Sequence, residues 1–146
     1  MVAPNQRQVS IPMTDITPKT RPEGQRGHVI HTRPWADIVE HYRKHGGSAL
    51  KPMLRLVEAI ASSPVSTQLF AATSMFDLLL SDCVNFRIGD STLHISYRSS
   101  ENQFEFRHIS FSGHDDQKVC AEPEMLQTLR LFLRLKYGVL FEIPAA

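Results

Sequence analysis

His41 and His45, in the stretch HYRKH, are the first residues whose type and spacing suggest chemistry. Four residues apart on a helix, two imidazoles share a face and can ligate one metal ion, and Glu40 stands beside them. A metal-dependent hydrolase using His41 and His45 is therefore one expectation. The HExxH pattern, which sets a glutamate between the histidines as general base, does not occur. Angular counting places His45 beside an Ile38–Tyr42 stripe and His41 further out, which equally suits two histidines half packed and half wet.

Ser112-Gly113-His114-Asp115-Asp116 sets serine, histidine and aspartate side by side. A catalytic triad assembles from separated segments, each side chain holding the next, so adjacency argues for a polar turn leaving a strand. Cys83 and Cys120 have neither metal spacing nor an activating neighbour in sequence and read as reduced packing residues. There is no phosphate-binding glycine loop and no GxSxG elbow. No enzymatic activity and no cofactor are expected on this basis.

A different chemistry is open to Arg87, His94, Arg98 and Arg107. Guanidinium forks match phosphates and carboxylates, so together these residues form a candidate anion or nucleic-acid surface. Strands are needed to position them. Val84, Phe86 and Ile88 alternate, Gly89-Asp90 suits a tight turn, and Leu93, Ile95 and Tyr97 alternate again. A second turn over Ser99 to Asn102 leads to Phe104 and Phe106. These turns predict Phe86 opposite Leu93, Val84 opposite Ile95, Ile95 opposite Phe106 and Tyr97 opposite Phe104, all on one buried face. The reverse face then carries Asn85, His94 and Arg107 in one row, Arg87 beside Thr92, Ser96 beside Glu105 and Arg98 beside Gln103. Ile109 and Phe111 fall out of step, which a bulge near Arg107-His108 or a face covered on both sides would produce.

Helices are expected around this meander. Trp35, Ile38, Val39 and Tyr42 recur at helical spacing until Gly46-Gly47, and Leu50 to Ala61 repeats the pattern after Ser48. Ser66 to Leu80 is apolar nearly all round and reads as a third, buried helix. Met125, Leu126, Leu129, Phe132 and Leu133 line a last helix that Gly138 ends. Val139, Leu140, Phe141 and Ile143 follow as an apolar tail, either a short edge strand or a partner contact, with Val139 and Phe141 as candidate contact residues. The fold expected is α+β: N-terminal helices packed on a three-stranded antiparallel meander, followed by a C-terminal helix.

Residues 1–33 differ from the rest. They hold no leucine, phenylalanine, tyrosine or tryptophan, are interrupted by four prolines and carry a net +3. A flexible arm is expected there, with one domain over 34–146. The chain of 146 residues carries a net charge of +1, which argues against binding nucleic acid through overall charge. It has no run of the roughly 18 apolar residues a membrane span requires, and its start lacks the apolar stretch of a secretory signal. A cytoplasmic protein, or one secreted without a classical signal, is expected.

STLHISYRSSENQFEFRHISFSG (91–113), followed by EMLQTLRLFLRLKYGVLFEI (124–143), resembles the C-terminal domain of type III secretion substrate-specificity switch proteins. There a β-hairpin precedes a helix of the form LxxLRxxL and a short apolar strand; Leu126, Leu129, Arg130 and Leu133 occupy those positions here. The N-terminal composition also resembles a type III export signal. The resemblance implies a non-enzymatic component that contacts the export gate. An interaction or regulatory protein binding another protein is thus the first expectation. An anion or nucleic-acid binder is the second and a metal-dependent hydrolase the third.

Overall fold

The computed structural model describes residues 28–87, 90–110 and 115–144. Helices α1 (Trp35–His45) and α2 (Lys51–Ala61) come first, joined by a short turn at Ser48–Leu50. Five strands follow: β1 (Phe70–Ser74), β2 (Asp77–Ser81), β3 (Thr92–Arg98), β4 (Gln103–Ile109) and β5 (Asp115–Ala121). Helix α3 (Met125–Tyr137) closes the fold, and an extended tail runs to residue 144. The sheet is a five-stranded antiparallel meander in chain order, so every strand pairs with its sequence neighbour.

The fold is α+β with a C-terminal helix, but the sheet has five strands rather than three. The expected helix over Ser66 to Leu80 is the β1–β2 hairpin, in which Ala72 pairs with Leu79 and Ser74 with Asp77. Periodicity misleads here because both faces of this hairpin are covered. Ala71, Leu78 and Leu80 face the main core, while Ala72 and Leu79 are buried outside it. A strand buried on both faces loses the apolar–polar alternation that would distinguish it from a buried helix. Its two-residue turn, Met75-Phe76, also lacks the usual glycine or asparagine, although Met75 takes φ +57°.

The β3–β4 register is the one the sequence predicts: Tyr97 faces Phe104, Ile95 faces Phe106 and His94 faces Arg107. The register expected through Val84 and Phe86 is not formed. Leu80 pairs with Leu93 and Leu78 with Ile95, so β2 takes the place expected of 84–88. Strand β4 has no bulge either. His108 occupies the inward position after Phe106, opposite Leu93, and Ile109 faces outward beside Thr92. Thr92 is itself 1% exposed, so the sheet is covered on both faces at this end.

All three helices lie on one face of the sheet and share one core. Ile38 and Tyr42 of α1, Met53, Leu56, Val57 and Ile60 of α2, and Leu129, Phe132 and Leu133 of α3 meet Leu93, Ile95, Phe104 and Phe106. Helix α1 also clamps the β1–β2 turn. Tyr42 donates its hydroxyl to the Phe76 carbonyl (2.9 Å), and His41 Nε2 donates to the Met75 carbonyl (3.2 Å).

The fold already includes residues 29–33, which the sequence assigns to the arm. Ile30 N–H donates to the Phe86 carbonyl (2.7 Å) and Arg33 N–H to the Ala71 carbonyl (2.9 Å), so this segment bonds to the β2–β3 connection and to β1. The remainder of the expected arm, residues 1–27, lies outside the described residues.

Candidate functional site

The outward face of the sheet brings only part of the expected arginine set together. His94 and Arg107 are direct partners across β3 and β4, and Arg98 pairs with Gln103. Arg87 lies on the β2–β3 connection, bridged to Val29, and Asn85 accepts from Thr32 N–H (3.0 Å) instead of joining the row. Leu79 stands where Asn85 was expected. The charges are also compensated. His94 Nε2 donates to Asp77 Oδ2 (2.9 Å). Arg98 is held by Glu105 and by Glu101, and Gln117 also donates to Glu105. Arg107 is exposed and has no ion pair among the described residues. The face is a mosaic of paired charges, which is the ordinary state of a solvated antiparallel face. Exposed pairs of this kind add little stability and leave little net field for a polyanion.

His41 and His45 do lie close, with ring centroids 5.6 Å apart. His41, however, uses its Nε2 on the Met75 carbonyl and stacks on Phe76 (5.3 Å between centroids). Among the described residues no group of three histidine, cysteine or acidic side chains is placed to hold a metal ion. The chemistry available to this pair is that of a turn clamp. Of the serine–histidine–aspartate stretch, residues 112–114 lie outside the described residues.

Sequence reasoning missed a polar cluster at one end of the sheet. Ser91 Oγ and His108 Nε2 lie 3.0 Å apart. Tyr137 donates its hydroxyl to the Ser91 carbonyl (2.5 Å), and its ring meets His108 edge-on. His108 is 4% exposed, and its Nδ1 is buried with no hydrogen-bond partner. Burial, reinforced by the Lys136 charge, pushes the imidazole down to about 4. Asp116 faces His108 across the ladder but is ion-paired with Lys136. A serine beside a histidine is the geometry of a nucleophile and its base. A base of so low a pKa, without a carboxylate on its second nitrogen, is poorly matched to activating a hydroxyl. The cluster is therefore a buried strut joining α3 to the sheet. The one sequence signal for it was the parity break at Ile109, which means that the inward position is filled by histidine.

Ser91 also borders a cavity of about 430 Å³ with Asp82, Cys83, Arg87 and Asp90. Burial and the neighbouring Asp82 carboxylate push the Cys83 thiol up to about 11, so it stays protonated and weakly nucleophilic. Cys120 is buried in the core.

An exposed apolar side chain also follows α3. Gly138 ends α3 in the left-handed region (φ +66°), with Val139 N–H returning to the Leu133 carbonyl (3.1 Å). The chain then runs extended. Val139 and Phe141 turn inward and are 5% and 2% exposed, so their side chains serve the core. Leu140, between them, is 74% exposed. It stands between two grooves. One, of about 380 Å³, is lined by Gln127, Arg130 and Arg134 of α3 and by tail residues 140–143. The other, of about 470 Å³, lies between the tail and Ala59, Ser62, Ser63 and Pro64. Arg130 and Arg134 are exposed and have no ion pair among the described residues.

Among the described residues no helix is long and apolar enough to cross a membrane. No protein-family model, no curated protein and no solved structure matches this chain.

Proposed function

We propose that this chain is a non-enzymatic interaction protein that docks a protein partner on the ridge made by Leu140 and the arginine-lined groove beside it. The observation that carries this reading is a leucine left three-quarters exposed between two buried neighbours and flanked by grooves on both sides. An exposed apolar anchor rimmed by polar residues is the usual anatomy of a binding site. Arg130 and Arg134 outnumber Glu142 in the lining of one groove and leave it net positive, so the partner segment is acidic with an apolar anchor.

The β3–β4 hairpin, then, after the intervening strand β5, a leucine-rich helix and an extended apolar tail over residues 92–144, supports associating this role with type III secretion, as a regulator that contacts the export gate. The test is fluorescence-anisotropy binding of the full chain to the soluble domain of the export gate from its own organism. Leu140→Asp and the double variant Arg130→Glu/Arg134→Glu are each expected to weaken binding at least about tenfold. Unchanged affinity in Leu140→Asp removes the ridge from the proposal. Absence of binding by the unaltered chain removes the export assignment.

A further inference from the structure

The segment after α3 is strand-like in everything but its pairing. Its side chains alternate, with Val139 and Phe141 buried and Leu140 exposed between them. Yet among the described residues no backbone N–H or carbonyl of residues 140–144 has a hydrogen-bond partner. An extended segment with open backbone groups is a template for an added strand. Val139 fixes which side each group faces. Its N–H points to the Leu133 carbonyl at the end of α3, and in an extended chain every second residue directs its N–H and carbonyl to the same side. Phe141 and Ile143 therefore direct theirs toward α3. The grooves agree: Phe141 and Ile143 border the groove against α3 and not the one against Ala59 to Pro64, although the Phe141 side chain is buried. The α3 groove, of about 380 Å³, is as large as an ordinary ligand pocket.

Helix α3 supplies the opposite wall, where Arg130 and Arg134 outweigh Glu142. Four residues of helix separate the two arginines by about 6 Å along the axis. Alternate residues of a strand are about 6.6–6.8 Å apart. Two carboxylates on alternate residues of a strand lying in the groove thus match the two guanidinium groups.

We infer that the groove between α3 and the tail takes an extended acidic peptide, with carboxylates on alternate residues, as a strand hydrogen-bonded to the Phe141 and Ile143 backbone. This rests on the docking surface proposed above and adds the conformation and charge spacing of the partner. A helical partner satisfies its own backbone groups and leaves those of the tail unpaired. A basic segment, such as residues 1–33 of this chain with their net +3, meets like charge in this groove.

The test is an NMR titration of the isotope-labelled full chain with the peptide acetyl-Glu-Val-Glu-Val-Glu-amide. Saturable shifts of the Phe141 and Ile143 amides are expected, with their hydrogen exchange slowed at least about tenfold in the complex. A strand bonds its neighbour through every second N–H. Of two versions of the peptide N-methylated at successive central residues, one is therefore expected to bind at least about tenfold more weakly than the other. Arg130→Glu/Arg134→Glu is expected to lose the acidic peptide and to bind acetyl-Lys-Val-Lys-Val-Lys-amide instead, which a misfolded variant would not do. Equal affinity for the two methylated versions, or Phe141 and Ile143 amides left unprotected in the complex, overturns the strand pairing and leaves the docking surface standing. No saturable binding of the acidic peptide at millimolar concentration also overturns the inference, whereas the docking surface falls only if Leu140→Asp leaves partner binding unchanged. Strand pairing by a chain that does not bind the export gate supports the inference and removes the export assignment alone.

Discussion

His108 shows how one residue can carry a sheet position and a titration at once. Its imidazole sits where an apolar side chain would complete the Phe104–Phe106 stripe, buried between β3 and α3 and neutral at ordinary pH. Because the folded-state pKa lies below the usual histidine value, the unfolded chain takes up this proton first. The contribution is complete above about pH 6.5 and is lost as pH falls toward about 4. The full loss is on the order of 3 kcal/mol. Urea midpoints measured between pH 7 and 4 are expected to fall through this window, and His108→Gln is expected to flatten that part of the slope. A slope unchanged in the variant would assign the effect to the carboxylates instead.

At the scale of elements, the β1–β2 hairpin depends on contacts outside itself. Its turn residue Met75 is held at φ +57° with an 86% exposed side chain, a conformation that glycine adopts without Cβ crowding. Tyr42 and His41 hold the two turn carbonyls from α1, which offsets the local strain. Met75→Gly is expected to raise stability by about 0.5–1 kcal/mol, read as a higher urea midpoint at unchanged m-value. The β3–β4 hairpin was legible in the sequence because its turn, with Asn102 at φ +53°, separates strands whose apolar residues all face one way. The β1–β2 hairpin was not, because burial on both faces removed the period and a Met-Phe turn gave no signal.

On the scale of the whole molecule, one core joins helices, sheet and tail, and Phe141 anchors the chain's last segment into it at 2% exposure. Unfolding is therefore expected to be a single transition, with Trp35 fluorescence and far-UV circular dichroism coinciding. Phe141→Ala is expected to lower stability by about 3–4 kcal/mol while keeping those probes coincident. Leu140→Asp is expected to change it by less than about 0.5 kcal/mol. A large loss in Leu140→Asp would mean that the ridge is structural.

The sequence by itself determined the α+β class, the helices α1, α2 and α3, the stop at Gly138 and the β3–β4 register. Each of these is written in spacing between near neighbours, where helix and strand periods differ and turns fix pairing. Only the tertiary structure decided that residues 70–81 are strands, that Val139 and Phe141 point inward and Leu140 outward, and that Arg98 and His94 are matched by acids. These outcomes depend on which surfaces other segments cover, and burial on two faces erases the periodicity from which a single chain can be read.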